Sequence, residues 1–201
     1  MNISFYKSGF VDSKLVTVLE RFNVTAEYYD LLRSLLKVKK IVGKNFIRVG
    51  KHNDGGYIMV DNFKNFGVAY SFGVCDDISW DTDMANRGYE IFMYDPTINA
   101  IPEQNDKFHF FKEGIAGFEF KNHSLNTLDY FIQKNGHTNN NDIILKMDVE
   151  GAEWSFLSTV PSETLSKFDQ MLFEFHDLIQ AKDQSVMNAT LACIKKISQT
   201  H

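Results

Sequence analysis

Residues 143–154 read Ile-Ile-Leu-Lys-Met-Asp-Val-Glu-Gly-Ala-Glu-Trp, an apolar strand that runs into three carboxylates, Asp148, Glu150 and Glu153, with Gly151 as the turn residue among them. In an open α/β sheet, ligands bind outside the carboxyl ends of the strands, so acids gathered at a strand exit are placed to bind a ligand or move a proton. Glu153 also suits the first turn of a following helix, where negative charge complements the dipole. Further on, Leu172-Phe173-Glu174-Phe175-His176-Asp177 reads as a strand end, and its alternation puts Glu174 and His176 on one face. Imidazole titrates near neutrality, which makes His176 the candidate general base, with Glu150 or Glu174 orienting it and Asp148 beside it. Asp148, Glu150, Glu174 and His176 are also an alternative ligand set for a divalent cation, which would itself acidify a substrate hydroxyl. No HxH, HExxH or cysteine pair reinforces that alternative.

The elements that would position these groups alternate. Residues 26–40 carry an apolar face of helical period with basic residues gathering before Gly43. Strands at 47–49 and 57–60, joined through Asp-Gly-Gly, predict a β-hairpin. From residue 68 the pattern becomes strand (68–72), helix from near Ser79, strands at 90–94 and 108–111, helix (125–133), strand (143–147), a short helix from near Gly151, strand (170–175) and helix (185–197). That order predicts an α/β fold with a mainly parallel, doubly wound sheet covered on both faces.

The first strand–helix turn, Ser71-Phe72-Gly73-Val74-Cys75-Asp76-Asp77, has one glycine where a dinucleotide fold uses three, and its two aspartates would repel a pyrophosphate. They suit a cation. S-adenosylmethionine carries a sulfonium and an ammonium and no phosphate, so an acidic rim attracts it. The next strand ends at Asp95, about twenty residues beyond the glycine turn, where a doubly wound fold places a carboxylate for ribose hydroxyls.

On these residues the chain resembles the FkbM-type S-adenosylmethionine-dependent methyltransferases. The similarity runs from about residue 46 to 178, through Asp54-Gly55-Gly56-Tyr57, Tyr70-Ser71-Phe72-Gly73, Ser79-Trp80-Asp81, Tyr94-Asp95 and, most specifically, the block at 145–154. The resemblance implies the class I Rossmann-like methyltransferase fold and O-methyl transfer to a saccharide or capsule-type glycan precursor. It also implies cofactor contacts at Phe72 and Gly73 (methionine side), Asp95 (ribose), and Glu113, Gly114 and Ile115 (adenine), with Asp77, Thr97 and Asp148 as further cofactor contacts. Lys51, Gly56 and Tyr57 would close over cofactor or acceptor. The class I fold ends in an antiparallel strand pair, six and seven, and this sequence stops where the sixth would begin. A shortened form, or an edge completed by something else, is the expectation.

The remaining bounds agree. At 201 residues and 44% apolar, one domain is expected, with a helical segment at 1–45 and the methyltransferase unit at 46–201. A net charge of −5 gives no basic footprint, so nucleic acid is not an expected partner. No apolar run predicts a membrane span and residues 1–20 do not read as a leader, so the expected compartment is the cytoplasm. Cys75 and Cys193 read as buried reduced thiols, and His52, His109, His123 and His137 as loop or surface residues. Trp80 and Trp154 read as core, with Trp80 and Tyr57 in segments near the cofactor rim. The sequence does not determine the oligomeric state. Two other readings share this sheet: a domain that binds S-adenosylmethionine without turnover, and a nicotinamide oxidoreductase, which the missing glycine-rich turn disfavours.

Overall fold

The computed structural model describes residues 25–37, 41–52, 54–178 and 183–201. The leader reading of 1–20, the remainder of the N-terminal segment to 24 and the end of the first helix at 38–40 fall outside them. Helix α1, Ala26–Leu35, starts where the Thr25 hydroxyl accepts the Tyr28 amide. Hairpin strands β1, Phe46–Val49, and β2, Tyr57–Val60, pair antiparallel as expected. There follow β3, Gly67–Phe72; α2, Ser79–Asn86; β4, Tyr89–Tyr94; β5, Phe108–Phe111; β6, Gly114–Ile115; β7, Leu125–Asn126; α3, Leu128–Lys134; and β8, Ile143–Met147. The chain ends with α4, Ala152–Thr159; α5, Ser162–Leu165; β9, Phe168–Phe173; and α6, Gln184–Thr200.

Five parallel strands form the central sheet in the order β5-β4-β3-β8-β9. All five residues of β8 are buried, as both faces of a central parallel strand must be. On one face Tyr70, Phe72, Tyr94, Leu145 and Met147 pack against Phe131, Phe156, Leu157 and Leu165 of α3, α4 and α5. On the other, Ala69, Ile91, Met93 and Ile144 meet Trp80 and Met84 of α2 and Val49 and Met59 of the hairpin. The hairpin is tied to the sheet by Gln170, whose side-chain amide accepts from Val60 N (2.9 Å) and donates to Val60 O (3.0 Å), copying the pairing of a strand neighbour. Helix α1 docks through Tyr28 and Leu32 on Leu178, Met187, Leu191 and Ile194.

Two boundaries differ from the sequence reading in ways that matter for the site. Leu125 and Asn126 do not open a helix. They pair in parallel with Gly114 and Ile115, and α3 begins only after Thr127, whose hydroxyl caps it by accepting Tyr130 N. Strand β9 stops at Phe173, the last residue paired with β8, so Glu174 to His176 lie beyond it and their common face is not a consequence of strand alternation. Helix α6 is longer than expected, starting at Gln184 behind an Asp183 cap. Trp80 is buried, with its indole N–H on the Met59 sulfur (3.4 Å), and so belongs to the core and not to a rim. Both cysteines are free, but only Cys193 is buried; Cys75 is exposed because it sits on the loop after β3. His109 and His137 are half-buried, His137 accepting or donating at the Tyr70 hydroxyl (2.8 Å) and His109 at Glu90 (2.8 Å).

Candidate active site

The strand order reverses between β3 and β8, and a cavity of about 640 Å³ opens at their carboxyl ends. Gly73 makes the floor possible. Its φ is +79°, and a Cβ there would stand 1.6 Å from the Asp148 carbonyl oxygen, so the β3 and β8 exits can approach this closely only with a glycine at that position. The next turn of chain is held by Asp95. One carboxylate oxygen accepts Val74 N (3.0 Å) and Cys75 N (2.9 Å), and the other accepts Thr97 N (2.8 Å) and Thr97 Oγ1 (2.6 Å). Burial works against the charged form, but the bonds from Thr97, Cys75 and Val74 outweigh it and hold Asp95 below the usual carboxylate range. Four protein donors fill the acceptor sites of this carboxylate, so Asp95 builds the loop as well as lining the cavity.

Asp77 ties the hairpin to the same loop. It accepts Ser79 N (3.0 Å) at the start of α2 and pairs with Lys51 (2.9 Å). Burial opposes its ionisation, yet Lys51 and Ser79 together lower its pKa. Tyr57 reaches from β2 to donate to Asp148 Oδ2 at 3.3 Å, and burial, reinforced by the Asp148 charge, pushes its phenol upward.

The acids and the imidazole that the sequence offered for proton transfer stand at and beside this cavity. One ligand atom from each of Asp148, Glu174 and His176 can be chosen so that all lie within 4.8 Å of one another. His176 Nε2 is 3.4 Å from Glu150 and 3.8 Å from Asp148, while Nδ1 faces Glu153 at 3.3 Å. Glu153, fully buried, accepts Gly151 N (2.8 Å) and His176 N (2.6 Å), and the Trp154 indole donates to His176 O (2.9 Å). The motif after β8 therefore grips the backbone of His176 on both sides. This is more than helix-dipole compensation by Glu153. Cys75, Glu150 and Asp177 adopt positive φ of 48°, 53° and 55° around the site, conformations that cost about 1–3 kcal/mol each in a residue with a side chain.

Of the residues singled out in the sequence, Phe72, Gly73, Asp77, Asp95, Thr97, Gly114, Ile115, Asp148 and Glu150 line the cavity. Lys51, Gly56 and Tyr57 do not line it, but Lys51 pairs with Asp77 and Tyr57 donates to Asp148, both of which do, and Gly56 lets the hairpin turn close on the Lys51 carbonyl oxygen, which a Cβ there would meet at 1.9 Å. Glu174 and His176 lie next to it through Asp148. Glu113 is turned away to pair with Lys134, since the backbone after β5 aims its side chain at α3. The lining also includes Phe120, Leu125 and Lys146, which the sequence reading did not select. For Lys146 a signal existed: a lysine between Leu145 and Met147 inside an otherwise apolar strand.

A parallel sheet in this order, wrapped by helices and a hairpin, with its cavity at the reversal of strand order, is a Rossmann-like methyltransferase fold. Residues 44–196 match the methyltransferase FkbM domain, and the chain belongs to that family. A human protein named probable methyltransferase-like protein 24 is 24% identical over 146 residues, covering 65% of this chain and 39% of the relative. The chain thus spans about two fifths of that relative's length. No solved structure matches it.

Proposed function

We propose that this chain is an S-adenosylmethionine-dependent O-methyltransferase acting in the cytoplasm on a hydroxyl, or a phosphate-type oxygen, of a saccharide or capsule-type glycan precursor. One observation carries the reading: six carboxylates, Asp54, Asp76, Asp77, Asp95, Asp148 and Glu150, line the cavity against a single lysine among the described residues. A cavity of that charge repels phosphorylated cofactors and attracts a cationic one. Its size suits a small molecule, and Ile115, Ala116, Leu125 and Phe120 give one end an apolar wall fit for adenine. When bound, S-adenosylmethionine supplies a methyl group on an electrophilic sulfonium.

The protein's part is alignment and proton removal. Glu153 and Trp154 hold the backbone of His176, its Nε2 accepts the hydroxyl proton, and Asp148 and Glu150 stabilise the imidazolium that results. Asp95 keeps the loop at 74–75 in place, and the Thr97 hydroxyl is the donor that a ribose hydroxyl would replace on it. Residues 46–201 act as the catalytic unit, with 1–45 appended.

A second reading is favoured by the convergence of Asp148, Glu174 and His176, which would suit a divalent cation that acidifies the acceptor hydroxyl directly. Calorimetry with S-adenosylmethionine and S-adenosylhomocysteine, with and without magnesium or manganese, tests both. Micromolar binding supports the first reading, and turnover that vanishes with chelator selects the cation. His176→Ala should preserve S-adenosylhomocysteine affinity and lower turnover by at least about a hundredfold. Asp95→Ala should weaken that affinity at least tenfold. Unchanged turnover in the first variant, or unchanged affinity in the second, removes the corresponding assignment.

A further inference from the structure

The acidic cavity contains one buried cation. Lys146 lies on β8 beside Ser71 of β3, only 3% exposed, and its Nζ donates to the Gly73 carbonyl oxygen at 2.7 Å while passing 5.9 Å from the centre of the Tyr57 ring. That leaves donor capacity on an ammonium with three hydrogens. A buried charge is costly unless it is paired, and the partner on the protein side is incomplete. Asp81 of α2 is fully buried; neither its oxygens nor the Ser71 hydroxyl makes a hydrogen bond of full geometry, though the Ser71 hydroxyl is close enough to favour the carboxylate. Burial pushes the Asp81 carboxyl upward and the Lys146 charge only partly opposes it. The arrangement is a cation fixed at the cavity wall, with its countercharge on α2, packed on the same face of the sheet but not in a direct ion pair with it, facing a space otherwise lined by acids.

We infer that Lys146 is the anchor for the amino-acid carboxylate of the cofactor. S-adenosylmethionine is a cation overall but ends in an anion, and among the described lining residues Lys146 is the one cationic side chain that can receive it. Its attachment to Gly73 puts that anchor at the glycine turn, on the hairpin side of the cavity and away from the apolar wall of Ile115 and Leu125. The assignment also gives Asp81 a role as a positioning residue: from α2 it supports the lysine charge without neutralising it by direct contact. This inference rests on the S-adenosylmethionine reading above and adds the polarity with which the ligand enters.

The test compares S-adenosylhomocysteine with 5′-deoxy-5′-methylthioadenosine, which keeps the adenosine and thioether and lacks the amino-acid tail. Calorimetry on the full chain should show the parent preferring S-adenosylhomocysteine at least tenfold. In Lys146→Met that affinity should fall at least tenfold, with methylthioadenosine affinity within twofold of the parent. Retained methylthioadenosine binding also reports a folded cavity. Should the lone Asp81 unfold the single variant, Lys146→Met combined with Asp81→Asn removes both charges and is held to the same criterion. An unchanged affinity for S-adenosylhomocysteine, or equal losses for the two ligands in a folded variant, overturns the assignment of Lys146 alone. A folded parent that binds neither ligand overturns the cofactor reading and this inference with it.

Discussion

Replacing Glu153 by glutamine asks whether the buried acid after β8 is the clamp that holds His176. Its side chain has no exposed area, and its oxygens accept the backbone amides of Gly151 at 2.8 Å and His176 at 2.6 Å. Glutamine keeps the shape but offers one acceptor oxygen, so an NH₂ group is forced against one of the two backbone donors. A hydrogen bond to a charged group contributes about 1.5–3 kcal/mol. One such bond is lost and the other loses its charge, which gives an expected destabilisation of about 2–3 kcal/mol. For a chain of this size each kcal/mol moves the melting temperature by about 2–4 °C, so a fall of about 4–12 °C should accompany it. The assay is urea unfolding followed by tryptophan fluorescence and far-ultraviolet circular dichroism, in which the midpoint should drop while the slope is unchanged. Glu150→Gln is the matched control, because that side chain is 85% exposed and its substitution should change stability by no more than about 0.5 kcal/mol. A loss below about 0.5 kcal/mol for Glu153→Gln, or equal losses for the two variants, would refute the clamp.

Gly73→Ala should be more damaging than its one added carbon suggests, because the Cβ would stand 1.6 Å from the Asp148 carbonyl oxygen at a φ of +79°. We expect a stability loss above about 3 kcal/mol and no detectable S-adenosylhomocysteine binding; a variant of parental stability and affinity in the same assays would show that the strand exits are not in contact. His137 supplies a pH test. Burial, aided by the nearby His109, lowers its folded-state pKa, so the unfolded chain takes up a proton first as pH falls. Its neutral form then supports stability fully above about pH 6.5, and support declines from there down to the depressed folded value. His137→Gln should therefore flatten the parent's fall in urea midpoint over that window, and parallel pH profiles for the two chains would contradict the shift.

The local chemistry of the site was legible in the sequence, because strand periodicity, glycine punctuation and the carboxylates at the exit of β8 are properties of neighbouring residues. These alone implied the parallel sheet, the hairpin, the Gly73 turn and the gathering of Asp95, Asp148 and Glu150 at the strand exits, where they line the cavity. What the sequence could not determine was which side chains meet across distant segments. Strand alternation gave Glu174 and His176 a common face, but β9 ends at Phe173 because its pairing with β8 ends there, and His176 is held instead by Glu153 and Trp154. Leu125 carried an apolar pattern compatible with a helix, yet pairing with Gly114 made it part of the cavity wall. Glu113 lay at the expected offset after β5, but the backbone turned its carboxylate toward Lys134. The contrast between Asp81 and Asp95 is the clearest case. Both are aspartates near the β3 exit, and only the packing around them decides that one has four donors while the other is buried with no hydrogen bond of full geometry, near Lys146 and Ser71. Burial and hydrogen-bond supply depend on residues tens of positions away, and those are brought together only when the sheet closes.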